Sequence, residues 1–293
     1  GTSGNHDVEI LRPAGPPFVW CDGEAVENKY GRQVREQFNL PDLRTEYVPI
    51  YPVQAPDLSW DKRWGEDPEL RADILSETWS PFELRKKLMP LVRGFERWTL
   101  ELKRKFAGLP NEYRPATQRI ILTCESVLRR IQLGLDLICS DEDARLAFCF
   151  GNKAMDMQER WGGSPSLTWR PFQLAYVLLV LESALKGSSD DRNVCDLLWV
   201  PTGTGKTEAY LLVAAIVLGY RRRMALLKAS GNRTGGGVGV ISRYTLRLLT
   251  IQQFRRTLRM ITACEFLRIQ GLSSGRPVAV SYTHLTLPTN REV

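Results

Sequence analysis

The sequence predicts an α/β fold in which a parallel sheet with helices on its faces, residues 166–279, follows a mostly α-helical N-terminal region, residues 1–165. Two short apolar runs, VCDLLWV (194–200) and VGVIS (238–242), have strand length, and each leads into a stretch long enough for a helix. Strand, helix, strand, helix at these lengths implies parallel pairing, because the crossover helix carries the chain back to the same end of the sheet. Gly162, Gly163, Ser164 and Pro165 make a natural linker between the two regions.

Taken in order, residues 1 to about 75 are rich in Pro, Asp and aromatic residues without sustained period, which predicts loops and an edge strand around Thr45–Tyr51. A helix starts at Pro81, with Ser80 as N-cap and Glu83 closing a capping box. Pro90 is expected to interrupt or kink it, and a second segment runs from Leu91 to Ala107, where Gly108 and Pro110 stop it. Ile120, Leu128, Ile131, Leu135 and Ile138 recur at near-helical spacing and predict a helix over 115–138. Ser140 with Asp143 resembles a cap for a helix reaching Trp161. Beyond the linker, RPFQLAYVLLVLESAL (170–185) is a helix and SSDDRN a loop. The helix KTEAYLLVAAIVLGYRRR (206–223) and the long basic amphipathic helix of 245–268 flank the flexible loop KASGNRTGGG and the second strand.

Composition sets limits. The longest apolar stretch near the loop, Leu211–Tyr220, is half of the roughly 20 residues a bilayer crossing needs, so no membrane span is expected. Six cysteines without a C-x-x-C pair suit free thiols in a reducing cytoplasm, and two histidines are too few for a zinc cluster. Between Gly219 and Val278, 12 basic residues face the single acid Glu265, a local charge of +11 in a chain of +7 overall. That asymmetry points to a polyanion such as DNA, with a solvated arginine-rich face as the plainer reading.

The last stretch, VSYTHLTLPTNREV from Val280, breaks from what precedes it. Its first ten residues back-translate as GTC TCT TAT ACA CAT CTG ACG CTG CCG ACG, which resembles a transposase adapter of sequencing libraries. Asn290, Arg291 and Glu292 fill the place of an index, and GTG TAG then gives the final valine and stop. Residues 280–293 are therefore expected to be a non-native, adapter-derived tail, which sets His284 aside and makes the C-terminus a truncation. Gly1 likewise suggests an N-terminus that lacks its start.

The chemistry concentrates in LLWVPTGTGKTEAYLL (197–212). Gly203 and Gly205 let main chain approach a phosphate without steric cost, and amides at the following helix start face the anion. Lys206 can reach the β and γ phosphates, and the Thr207 hydroxyl can ligand Mg²⁺. Thr202, Thr204 and Glu208 complete the candidate ATP contacts, and Lys206 and Thr207 are the candidate catalytic residues. A glycine expected at the first position of the general pattern is replaced by Val200.

PTGTGKT resembles motif I of superfamily 2 helicases, whose loop tolerates that change. WRPFQ is similar to the upstream element whose glutamine, here Gln173, reads the adenine edge. VGVISRYTLRLLTIQQF occupies the place of motif Ia, making Arg243, Thr245, Arg247 and Gln252 candidate nucleic-acid backbone contacts. With RPFQLAYVLL and RLAFCFGNKAMDMQERW, the chain resembles the helicase-domain proteins of DISARM phage-defence systems, most strongly over 169–267. The resemblance implies a truncated RecA-like P-loop NTPase domain, and an ATP-dependent DNA helicase or translocase working with defence-complex subunits. An RNA helicase, or a P-loop scaffold that binds protein, stays open. No Walker B acid pair follows Leu267, and SDED (140–143) reads as helix capping. The chain alone is therefore expected to bind nucleotide without efficient hydrolysis.

Overall fold

The computed structural model describes residues 9–11, 48–50, 57–201, 203–227, 238–242 and 249–270. The chain divides into two compact units, Gly1–Asp57 and Leu58–Val293. In the first, β1 (Glu9–Leu11) pairs antiparallel with β2 (Val48–Ile50), Glu9 opposite Ile50. β2 falls inside the strand expected around Thr45–Tyr51.

The described part of the second unit is built from helices: α1 (Ala72–Ser76), α2 (Pro81–Ala107), α3 (Arg114–Ser140), α4 (Glu142–Trp161), α5 (Pro171–Leu185), α6 (Lys206–Leu227) and α7 (Leu249–Gln270). α2 starts as its sequence dictates: the Ser80 hydroxyl accepts from Glu83 N–H at 3.3 Å, Pro81 opens the first turn and Gly108 caps the end. Pro90 does not interrupt it and no separate segment starts at Leu91, which corrects that part of the expectation. The N–H that Pro90 lacks would have served Lys86 O, and the helix runs on through that one lost bond, held by Leu84, Leu88, Leu91 and Val92 in the core. α4 is capped one residue later than expected, by Asp141, whose carboxylate accepts Ala144 N–H at 2.9 Å. Glu142 and Asp143 occupy its first turn, where the helix dipole favours acids.

The parallel sheet is the principal correction. Neither 194–200 nor 238–242 forms a strand, and among the described residues the sheet is the β1–β2 pair alone. Leu197 is 86% exposed, Trp199 88% and Ile241 86%, so side chains expected to be buried within a sheet face outward. Strand backbone needs a hydrogen-bonding neighbour, and these two runs do not ladder with each other. A short apolar run cannot by itself separate a strand from an extended segment. The helices that would have covered a sheet cover one another instead. Leu212 and Ile216 of α6 pack against Gly151 of α4, and α6 also lies against α5 and α7.

One core runs through these helices, with Leu84, Leu88, Leu135, Ile138, Phe148, Met155, Leu174, Leu178 and Leu212 fully buried. Each such side chain contributes about 1.5–3 kcal/mol of apolar burial. α3 crosses α5 at Gly134, where a Cβ would lie 1.9 Å from Leu178 O, so the contact requires glycine. The Trp169 indole, 1% exposed, donates to Asn152 Oδ1 at 2.8 Å and anchors the entry to α5 on α4. No described helix is long and apolar enough to cross a membrane. The tail 280–293 and the loop 228–237 lie outside the described residues.

Candidate functional site

The loop of residues 200–205 leads directly into the N-terminus of α6. Gly203 has φ +79 and Gly205 φ +91, conformations that other residues adopt only at a cost. Among the described residues nothing lies within 4 Å of where a Cβ on Gly203 would stand. Thr204, 7% exposed, closes the turn by donating its hydroxyl to Pro201 O at 2.8 Å. The Lys206 ammonium bridges Val200 O at 2.6 Å and Pro201 O at 2.9 Å. Two of its three N–H groups are thus committed at the start of the loop and one is left for an anion. Val200 takes part through its carbonyl, which any residue could supply.

Gln173, at the third position of α5, is buried against the other end of the loop. Its Nε2 donates to Gly205 O at 2.6 Å, and its Oε1 accepts Arg170 N–H at 2.7 Å. Glu208, in the first turn of α6, pairs with Arg256 of α7 at 3.1 Å. Its second carboxylate oxygen, Oε2, is shielded from solvent, has no hydrogen-bond partner among the described residues and faces Gly205.

The residues before the loop are fixed from α3. Arg130, with a side chain 6% exposed, donates to Asp196 Oδ2 at 2.7 Å and lies 3.5 Å from Asp191. Asp196 holds the guanidinium pKa above its ordinary value. Arg129 adds bonds of 2.8 and 2.9 Å to Asp191. An ion pair between distant elements therefore does what a sheet ladder was expected to do. Sequence reasoning missed this clamp, because Arg130 and Asp196 are 66 residues apart and nothing local marks them as partners.

Of the expected nucleic-acid contacts, Gln252 is exposed on α7, while Arg243, Thr245 and Arg247 lie outside the described residues, as does Thr202. Beside Gln252 on the exposed surface of α7 stand Arg255, Arg256 and Arg259, at helical spacing. The expected site did not include them, although the spacing 252, 255, 256, 259 carries the signal. In α6, burial and then repulsion from Arg221 and from Arg268 of α7 lower the pKa of Arg222. The Glu208–Arg256 pair joins the first turn of α6 to this basic helix.

Mg²⁺–ATP fits what is present. Gly203 and Gly205 have positive φ, Lys206 keeps one N–H without a partner among the described residues, and the Thr207 hydroxyl is a hard oxygen donor of the kind Mg²⁺ prefers. Among the described residues no group of three His, Cys, Asp or Glu side chains could hold a metal ion unaided.

No protein-family model matches the chain. It is 39% identical over 249 residues to the DISARM protein DrmA of Bacillus paralicheniformis, an alignment covering 78% of this chain and 22% of that protein. The chain is thus related to a DISARM protein and spans about a fifth of its length.

Proposed function

We propose that this chain carries the nucleotide-binding loop and part of the nucleic-acid path of an ATP-dependent DNA helicase or translocase of superfamily 2 that acts in antiphage defence. The observation that carries the reading is the loop: two left-handed glycines, a lysine bridging its start and a threonine hydroxyl at the head of α6. The relationship to a protein named for DISARM supports the defence setting and a place among the subunits of such a system.

In this reading the amides of Thr202–Lys206 cradle the phosphates and Lys206 neutralises the β and γ groups. Thr207 holds Mg²⁺, which on binding would draw charge from the phosphates. Arg243 and Arg247, joined by Arg255 and Arg259 of α7, neutralise backbone phosphates of DNA, and Thr245 and Gln252 donate hydrogen bonds to them. Hydrolysis also needs a carboxylate to order the attacking water and an arginine to stabilise the transferred charge. Among the described residues the carboxylate facing the loop is Glu208, whose Oε1 is held by Arg256 and whose Oε2 is buried against Gly205, shielded from the water it would have to order. The chain alone therefore binds ATP without efficient turnover. A phosphate-release assay with the purified chain tests this: the rate is expected to stay at the level of Lys206→Ala, and turnover that Lys206→Ala abolishes would contradict it.

A further inference from the structure

We infer that Gln173 is a positioning residue for the phosphate loop, and that selectivity for the nucleotide base does not depend on it. The inference rests on the loop being a nucleotide site, and it concerns what α5 contributes to that site.

The amide orientation of Gln173 is fixed by partners of fixed polarity. Arg170 N–H can only donate and Gly205 C=O can only accept, so Oε1 must face the first and Nε2 the second. Both contacts are short, 2.7 and 2.6 Å, and the residue is 5% exposed. The amide therefore joins the N-cap of α5 to the last residue of the loop. Gly205 is also the residue at φ +91, and a Cβ there would stand 2.6 Å from Gln173 Nε2. The side chain occupies the space that a larger residue at 205 would need, and its N–H holds the carbonyl of that strained peptide. α5 is anchored in turn: Trp169 N–H donates to Leu70 O at 2.8 Å and its indole to Asn152. The position of Gln173, and through it of Gly205, is thus set by the helical core in the absence of nucleotide.

A base reader and a loop holder leave different signatures. Removing a group that pairs with adenine weakens ATP against GTP and leaves the nucleotide-free loop unchanged. Removing the support of Gly205 weakens both nucleotides together and loosens the loop before either binds.

The test uses the whole chain with Gln173→Met and Gln173→Glu. It reads equilibrium binding of ribose-labelled ATP and GTP with Mg²⁺, and backbone amide exchange across 203–210 without nucleotide. Both variants are expected to lose about tenfold in affinity for each nucleotide, with the ATP-to-GTP ratio within about twofold of wild type and faster exchange. Gly205→Ala, which crowds Nε2 from the other side, should give the same joint loss. A ratio that falls about fivefold or more with exchange unchanged would make Gln173 the base reader and overturn the inference while leaving the nucleotide site intact. A wild-type chain that binds neither nucleotide would overturn both. Should Gln173→Met fail to fold, Gly205→Ala and the ATP-to-GTP ratio of Gln173→Glu decide, because the charge added by Glu lowers both affinities alike and leaves only the ratio informative.

Discussion

Replacing Arg130 by methionine should show how much of the approach to the loop depends on one buried cation. Methionine keeps much of the unbranched stem and its packing and removes the charge. The guanidinium is 6% exposed, and its partners Asp196 and Asp191 are 16% and 13% exposed, so the variant leaves carboxylates largely out of water. Breaking a buried pair by removing one partner costs about 3–5 kcal/mol. Asp191 retains Arg129 and both carboxylates keep some solvent, which places the expected loss near the lower figure, about 3 kcal/mol. For a unit of this size that is a fall in Tm of roughly 6–12 °C. Thermal and urea unfolding followed by circular dichroism at the helix band read it. Adding Asp196→Asn should recover part of the loss, because the orphaned charge goes with it. A single variant within about 0.5 kcal/mol of wild type, or a double variant no better than the single, would refute the clamp.

Three further outcomes follow from the same structure. Burial lifts the thiols of Cys149 and Cys264 to about 12, so both should resist alkylation at pH 8 until the chain unfolds, whereas exposed Cys195 reacts at once. Peptide mass mapping decides, and rapid native labelling of Cys149 would contradict the packing of α4. At Asp141 burial raises the pKa, but the bonds from Lys186 and the Ala144 amide outweigh it and leave the group below 3.8. Its contribution is therefore present above pH 3.8 and lost as pH falls through the lower folded value. Lys186 is raised above 10.5 despite its own burial, through Asp141 and Tyr220, so its contribution is complete below that pH and lost as pH rises through the folded value. Lys186→Met should cost about 1 kcal/mol at neutral pH and progressively less below pH 3.8; a pH-independent difference would remove the pair from the account. Finally, DNA affinity measured against salt should fall steeply, and Arg255→Ala and Arg259→Ala should each lower the log–log slope by about one, while a flat response in the parent chain would favour a protein-binding scaffold.

Local chemistry made much of the helical part legible. Ser80, Pro81 and Gly108 bound α2 as their types dictate, and α4 ends at Trp161 before its glycines. α5 begins at Pro171 and α6 at Lys206, as expected. Failure came where the outcome depends on partners. Pro90 looked like a break because its missing N–H leaves Lys86 O without its helical partner, yet the buried side chains on either side, Leu84, Leu88, Leu91 and Val92, hold the helix through it. The runs 194–200 and 238–242 looked like strands because they are apolar and short, but a strand is made by its neighbour, and here α6 spends its apolar surface on α4 and α5. In the loop, the positive φ of Gly203 and Gly205 was legible because a tight turn's need for glycine is local. That Gln173 faces Gly205, and that Arg256 faces Glu208, depends on how α5, α6 and α7 pack, which no motif spacing encodes.

The central claim is that the loop before α6 grips nucleotide phosphate through Lys206. Calorimetric titration of Mg²⁺–ATP into the whole chain and into Lys206→Ala tests it most directly. The account predicts saturable binding to the first and a loss of at least about tenfold in the second, the value of a charge-assisted contact in a shielded site. Equal affinity in the two chains, or no binding to either, would contradict it.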